Sequence, residues 1–131
     1  MPFSHPIEVR FRDLDAMGHV NNAVVVSFME QARFQWWRAF LGGRPFKDEG
    51  FLIARTEVDY RMPILLGDDV RVELHCSRVG NSSFDLTYRI TRGLGGDLFA
   101  EGKTVQVMLD FATHRPAPLA PGTRAWLEAQ V

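Results

Sequence analysis

The sequence predicts an α+β domain in which an antiparallel sheet of five strands wraps around one long central helix. Three observations carry this expectation. Several stretches alternate apolar and polar residues with a period of two, and one stretch repeats its apolar residues at helical spacing. The last four strand candidates then follow one another mainly through short turns, the connection pattern of an antiparallel sheet.

Ile7, Val9 and Phe11 alternate with Glu8, Arg10 and Arg12, which predicts a first strand over 6–12. Gly18 allows a sharp turn in the polar segment that follows, and Asn21 and Asn22 are good N-caps, so a helix is expected to start there. Its apolar stripe runs Val25, Phe28, Met29, Ala32, Trp36, Ala39 and Phe40 until Gly42-Gly43 stops it. Val24, Val26, Phe34 and Trp37 add apolar mass off that stripe, as expected of a helix covered on more than one side by a curling sheet or a partner subunit. Residues 44–50 read as a loop.

A strand over 53–62 places Ala54, Thr56, Val58, Tyr60 and Met62 on one face and ends at Pro63. The next two strands bury Val70, Val72, Leu74 and Cys76, then Phe84, Leu86, Tyr88 and Ile90. In the final strand, 97–111, parity is muddled. Ala100 and Gly102 share a face with Thr104, while Val105, Val107, Leu109 and Phe111 share the other with Glu101 and Lys103. A bulge, or small residues where the helix presses close, explains such a pattern. The tail from Pro116 to Pro121 reads as irregular and 122–130 as a short terminal helix.

The 131 residues, 46% of them hydrophobic and 24% charged, have room for one domain, 1–131. A chain of this size buries roughly two-thirds of its unfolded surface and needs no covalent staple. Its single cysteine, Cys76, excludes an intramolecular disulfide and a cysteine zinc cage, and a reducing, cytoplasmic compartment is expected. Residues 1–6 lack the features of a signal peptide, and no stretch approaches the ~20 apolar residues of a membrane span, so membrane insertion is not expected. With 15 basic and 16 acidic residues, the net charge of −1 argues against nucleic acid as a partner. Arginine dominates the basic residues. That suits a phosphate-bearing substrate, although a general preference for Arg over Lys gives the same ratio.

Reactive residue types are dense only between the first strand and the helix: Asp13, Asp15, Gly18, His19, Val20, Asn21 and Asn22. Unpaired N–H groups and the dipole at a helix N-terminus stabilise negative charge, so the region of Asn22 could hold an oxyanion while Asp15 activates water or attacks directly. The competing reading gives Asp13 and Asp15 turn hydrogen bonds and Asn21 a capping role. A metal site from the two aspartates and His19, or a D-x-D phosphoryl nucleophile, lacks further ligands in so short a chain. Glu30 and Arg33 are spaced for an ion pair, against which stands a second active-site acid. Cys76 has the buried parity of a packed thiol. Trp36 fits the core stripe, and Trp37 either packs in the core, covers a partner or lines an acyl pocket.

The string R-D-L-D-A-M-G-H-V-N-N at 12–22, with M-E-Q-A-R at 29–33, resembles the 4-hydroxybenzoyl-CoA thioesterase-like family of hotdog-fold acyl-CoA thioesterases. Asp59-Tyr60-Arg61-Met62-Pro63, Leu66-Gly67-Asp68, Gly80-Asn81-Ser82-Ser83-Phe84, Ala100-Glu101-Gly102 and Thr113-His114-Arg115-Pro116 continue it over nearly the whole chain. The resemblance implies a hotdog fold and hydrolysis of an acyl-CoA to a free acid and CoA, with no metal or redox cofactor. Asp15 matches the catalytic carboxylate and the amide near Asn22 the carbonyl-polarising donor, leaving His19 to orient the loop or a water. Asp13, Gly18, Val20, Asn21, Arg61, Ser82 and Ser83 are candidate substrate contacts, and Arg61, Arg78, Arg89 and Arg92 are candidates for the CoA phosphates. Met17 stands where the related acyl-ACP thioesterases carry Asn, and the Asn-Pro of hotdog hydratases is missing, so neither of those chemistries is expected. Exposed sheet edges predict a homodimer or homotetramer, and the resemblance implies an active site at the dimer interface. A non-catalytic acyl-CoA or small-ligand binding module on the same fold is the alternative.

Overall fold

A computed structural model describes residues 2–131. The strands are β1 (Phe3–Ile7), β2 (Phe51–Tyr60), β3 (Val70–Val79), β4 (Ser83–Arg92), β5 (Leu98–Asp110) and β6 (Arg115–Pro116), and the helices are α1 (Asn22–Leu41) and α2 (Pro121–Glu128). The sheet is antiparallel, with the order β1-β3-β4-β5-β2 and β6 paired to the end of β5. Its inner face packs on α1 through Val25, Phe28, Met29, Ala32 and Trp36, which meet Val72, Leu74, Phe84, Leu86 and Ile90 in one buried cluster.

The α+β class and the long helix match the sequence expectation, while the sheet has six strands instead of five. The sixth arises because the Asp110 carboxylate accepts the amides of Ala112 and Thr113 and His114 adopts a positive φ of 59°. The chain folds back there, and Ala117 N–H reaches Met108 C=O at 3.0 Å. The first strand lies at 3–7 and not at 6–12. Asp13 Oδ2 captures the Arg10 amide at 2.8 Å, and a 3-10 turn over Phe11–Asp13 replaces the strand. Phe11, expected in the core, is 80% exposed.

The β2 strand is displaced from 53–62 because the amides of Arg61 and Met62 both turn to Phe99 C=O. A register shift between Ile53 and Arg55 also breaks its expected parity, leaving Phe51, Ile53 and Val58 half-buried and Thr56 exposed. On α1, Ala39 is exposed, while Trp37 and Arg33 are buried. Part of that second covered side comes from α2, whose Trp126 packs on Trp36, Trp37 and Phe40 at 4.8–6.0 Å between ring centroids.

The muddled parity of β5 has a physical cause. Its inward residues include Gly102, Thr104 and Gln106, so the apolar Val105, Val107 and Leu109 face outward and stay half-exposed. Gly102 admits close helix packing: a Cβ there would stand 2.9 Å from Met29 Cε and 2.7 Å from Glu57 C=O. Thr104 and Gln106 are buried because they hydrogen-bond one another, and Thr104 Oγ1 also lies 2.7 Å from Tyr88 Oη.

Candidate active site

The loop between β1 and α1 is a self-bonded turn. Asp15 N–H donates to His19 C=O at 2.7 Å and Gly18 N–H to Asp15 C=O at 3.1 Å, with Gly18 at φ 80°, where a side chain is disfavoured. Asp15 Oδ1 accepts the amides of Met17 and His19 at 2.9 and 3.1 Å, and Oδ2 accepts no hydrogen bond among the described residues. Asp15 is thus both the organiser of the turn and the owner of a free carboxylate oxygen. Val20 is buried and ties the turn to the segment after β2, its N–H donating to Ile64 C=O at 2.8 Å.

Asn21 N–H donates to Asp13 C=O, and Asn21 Oδ1 caps α1 by accepting the Ala23 amide at 2.8 Å. The amides of Val24 and Val25 turn to Asn21 C=O. Among the described residues, the Asn22 N–H therefore has no partner, and it is the one first-turn donor left to meet a ligand.

A cleft of about 290 Å³ is lined by Asp15, His19, Val20 and Asn22, by Tyr60 and Arg61 at the end of β2, and by Phe99 and Ala100. Of the sequence candidates, Asp15, His19, Val20, Asn22 and Arg61 meet there. Asp13, Gly18 and Asn21 do not line it and act on the turn and the helix start through backbone and capping bonds. Ser82 and Ser83 do not reach the cleft. Ser83 pairs with Val107, seven residues along β5 from Ala100 or about 23 Å, and its hydroxyl accepts from Arg78.

Among the candidate phosphate-binding arginines, Arg78 is committed to Asp85 by two bonds of 3.1 and 3.0 Å. Arg92 is held by Asp97, Asp68 and the Phe99 ring. Arg89 is half-exposed on the outer sheet face, 4.0 Å from Glu101. Arg61 alone of the four borders the cleft, with Glu101 2.6 Å away as its anchor. No group of three or more His, Cys, Asp or Glu side chains among the described residues could hold a metal ion.

Several cleft residues escaped the sequence reading, among them Phe99, Ala100 and, with a polar group, Tyr60. Tyr60 was expected only to share a strand face with Ala54, Thr56, Val58 and Met62, yet it lines the cleft and donates its hydroxyl to Asn22 C=O at 2.7 Å. Partial burial pushes its phenol above the ordinary value, so it remains a donor. The only signal available was its place beside Arg61, before Pro63, where the chain leaves the sheet.

Residues 9–127 match the family model described as Thioesterase-like superfamily. Over 126 residues the chain is 29% identical to a 1,4-dihydroxy-2-naphthoyl-CoA hydrolase of Synechococcus elongatus, covering 92% of this chain and 90% of that protein. The long-chain acyl-CoA thioesterase FadM of Escherichia coli is 28% identical over 134 residues, covering 95% and 96%. A Thermus thermophilus thioesterase solved with coenzyme A and Zn superposes with a TM-score of 0.86 at 40% identity, covering 97% of this chain and 92% of that one. A predicted thioesterase from Bacillus stearothermophilus reaches 0.91 at 32% identity, covering 100% and 97%. The chain belongs to the Thioesterase-like superfamily and is a thioester hydrolase on the hotdog fold.

Proposed function

We propose that the protein hydrolyses an acyl-CoA to the free carboxylic acid and CoA at the cleft in front of α1. The observation that carries this reading is the pairing in one cleft of a carboxylate oxygen without a hydrogen-bond partner, Asp15 Oδ2, and a helix amide without one, Asn22 N–H. The amide binds the thioester oxygen as it gains negative charge, a contribution typically worth roughly 3 kcal/mol for one such donor. Asp15 acts as general base toward water or as the nucleophile itself, and the carbon–sulfur bond breaks to release the CoA thiol. His19 orients the turn through its backbone and lines the same cleft, where its ring is assigned to position a water. Arg61, at the cleft edge, is assigned to the CoA phosphates.

The acting unit is a homodimer or homotetramer with the site near its interface. β2 is a ten-residue edge strand with β5 on one side only, and exposed Leu52, Tyr60, Val26 and Phe34 accompany it. Release of CoA from a panel of aromatic, short-chain and long-chain acyl-CoAs tests the activity. Turnover of at least one class supports hydrolysis, whereas saturable binding of all of them without CoA release gives the protein over to the alternative, a non-catalytic ligand-binding module.

A further inference from the structure

Leu66-Gly67-Asp68 lines no part of the catalytic cleft, yet it is bonded more closely than a surface connection requires. Asp68 N–H donates to Leu65 C=O at 3.1 Å, and Gly67 between them has φ 91°, the left-handed value that a type II turn places at its third residue. The Asp68 side chain, 17% exposed, closes the turn a second time: its Oδ2 accepts the Leu65 amide at 2.8 Å. Its Oδ1 lies 3.6 Å from Arg92 Nε at the end of β4.

Leu65 supports the catalytic turn. It pairs with His19 in an isolated antiparallel bridge, and Ile64 C=O beside it accepts the Val20 N–H at 2.8 Å. His19 is in turn bonded to Asp15 twice, its C=O accepting the Asp15 amide at 2.7 Å and its N–H donating to Asp15 Oδ1 at 3.1 Å. A run of backbone pairings therefore joins the Asp68 carboxylate to the Asp15 carboxylate. The other end of the segment 61–68 is tied to the same arginine. The amides of Arg61 and Met62 turn to Phe99 C=O, and the Arg92 guanidinium lies 5.0 Å from the centroid of the Phe99 ring, which lines the cleft.

We propose that Asp68 is a positioning residue for hydrolysis, holding Leu65, and through it His19, so that the Asp15 carboxylate stands where the substrate's carbonyl arrives. The catalytic part of this inference rests on the hydrolase reading above; the hold on the turn does not. The two carboxylate oxygens contribute unequally. A backbone N–H on a carboxylate at 2.8 Å is a charge-assisted hydrogen bond, whereas an ion pair at 3.6 Å with the arginine 40% exposed contributes little. The Leu65 bond carries the effect, and Arg92 aims the carboxylate. Displacing a reacting group by about 1 Å can cost on the order of 100-fold in rate, so a turn held from outside the cleft matters to turnover.

Asp68→Ala removes the acceptor, and Asp68→Asn retains one for the Leu65 amide. In CoA release, Asp68→Ala is expected to lower kcat about tenfold or more with KM within about twofold, and Asp68→Asn to stay within about threefold of the wild type. Amide hydrogen exchange gives a readout independent of turnover. In Asp68→Ala the Val20 amide is expected to exchange at least about tenfold faster while amides in the middle of α1 and β4 keep their protection, and in Asp68→Asn both stay near the wild type. Asp68→Glu, which retains the charge but moves the carboxylate by one methylene, takes the place of Asp68→Ala if the latter does not fold, with the same losses expected. Unchanged Val20 exchange, wild-type kcat in these variants, protection lost equally through α1 and β4, or an Asp68→Asn as impaired as Asp68→Ala overturns the proposal. Any of these leaves CoA release by the wild type standing. If the wild type releases no CoA from any acyl-CoA, the hydrolase reading falls, and Val20 exchange alone decides whether Asp68 holds the turn.

Discussion

Asn22 is held on two sides, by Asn21 N–H bonded to Asp13 C=O and by the Tyr60 hydroxyl on its own carbonyl. Tyr60 therefore fixes where the free Asn22 amide points, and its loss is felt in the transition state more than in substrate binding. Tyr60→Phe keeps the ring and removes the donor. We expect kcat to fall about tenfold, with KM within about twofold and little change in thermal midpoint. A rise in KM at constant kcat would show instead that Tyr60 only contacts substrate. Cys76 presents the opposite situation, a thiol with no part in the chemistry. Burial pushes it up to about 11, so the native protein should not react with a thiol reagent near pH 8, whereas the unfolded chain should react fully. Asp15 and Asn22 were legible in the sequence because turn, cap and helix start are local patterns. Tyr60 was not, since its hydrogen bond spans 38 positions of sequence.

At the level of elements, α1 depends on its first turn and on one close approach to β5. Asn21→Ala removes the cap on Ala23 and should cost about 1 kcal/mol, lowering the thermal midpoint by roughly 3 °C. Gly102→Ala should cost more, about 1–3 kcal/mol by chemical denaturation, because its Cβ meets the Glu57 carbonyl as well as the yielding end of Met29. The apolar faces of β3 and β4 were readable by alternation, whereas Asp85 and Thr91, on the polar parity of β4, are buried as well. β5 was not readable in this way: its inner face carries Thr104 and Gln106, which are satisfied only by partners on β4 and in the strand itself. Alternation also misplaced β1, because a single carboxylate, that of Asp13, competes for the Arg10 amide and ends the extended run.

For the whole molecule, two ion pairs tie three strands together on the sheet through Asp85, whose carboxylate takes Arg78 at 3.0 Å and Lys103 at 3.3 Å. Burial acts to raise this carboxyl, and the hydrogen bonds from Arg78 and Lys103 outweigh it, holding it below its ordinary value. Folding lowers this group's pKa, so its stabilisation is complete above about pH 4 and fades as the pH drops through the folded value. Asp85→Asn should therefore show a shallower loss of stability in acid than the wild type, in denaturation curves taken from pH 6 downward. Overall architecture was legible because one helical stripe and a series of antiparallel strands leave few arrangements open. The sixth strand was hidden in two residues whose pairing depends on the turn at Asp110. The account of the molecule's activity rests on Asp15 Oδ2 and the Asn22 N–H, two groups without a hydrogen-bond partner among the described residues, on residues that line one cleft. The direct test is steady-state CoA release from the best acyl-CoA by wild type and Asp15→Asn. The account predicts that kcat falls at least about 100-fold while the folded protein still binds substrate. Equal kcat in the two proteins would contradict it.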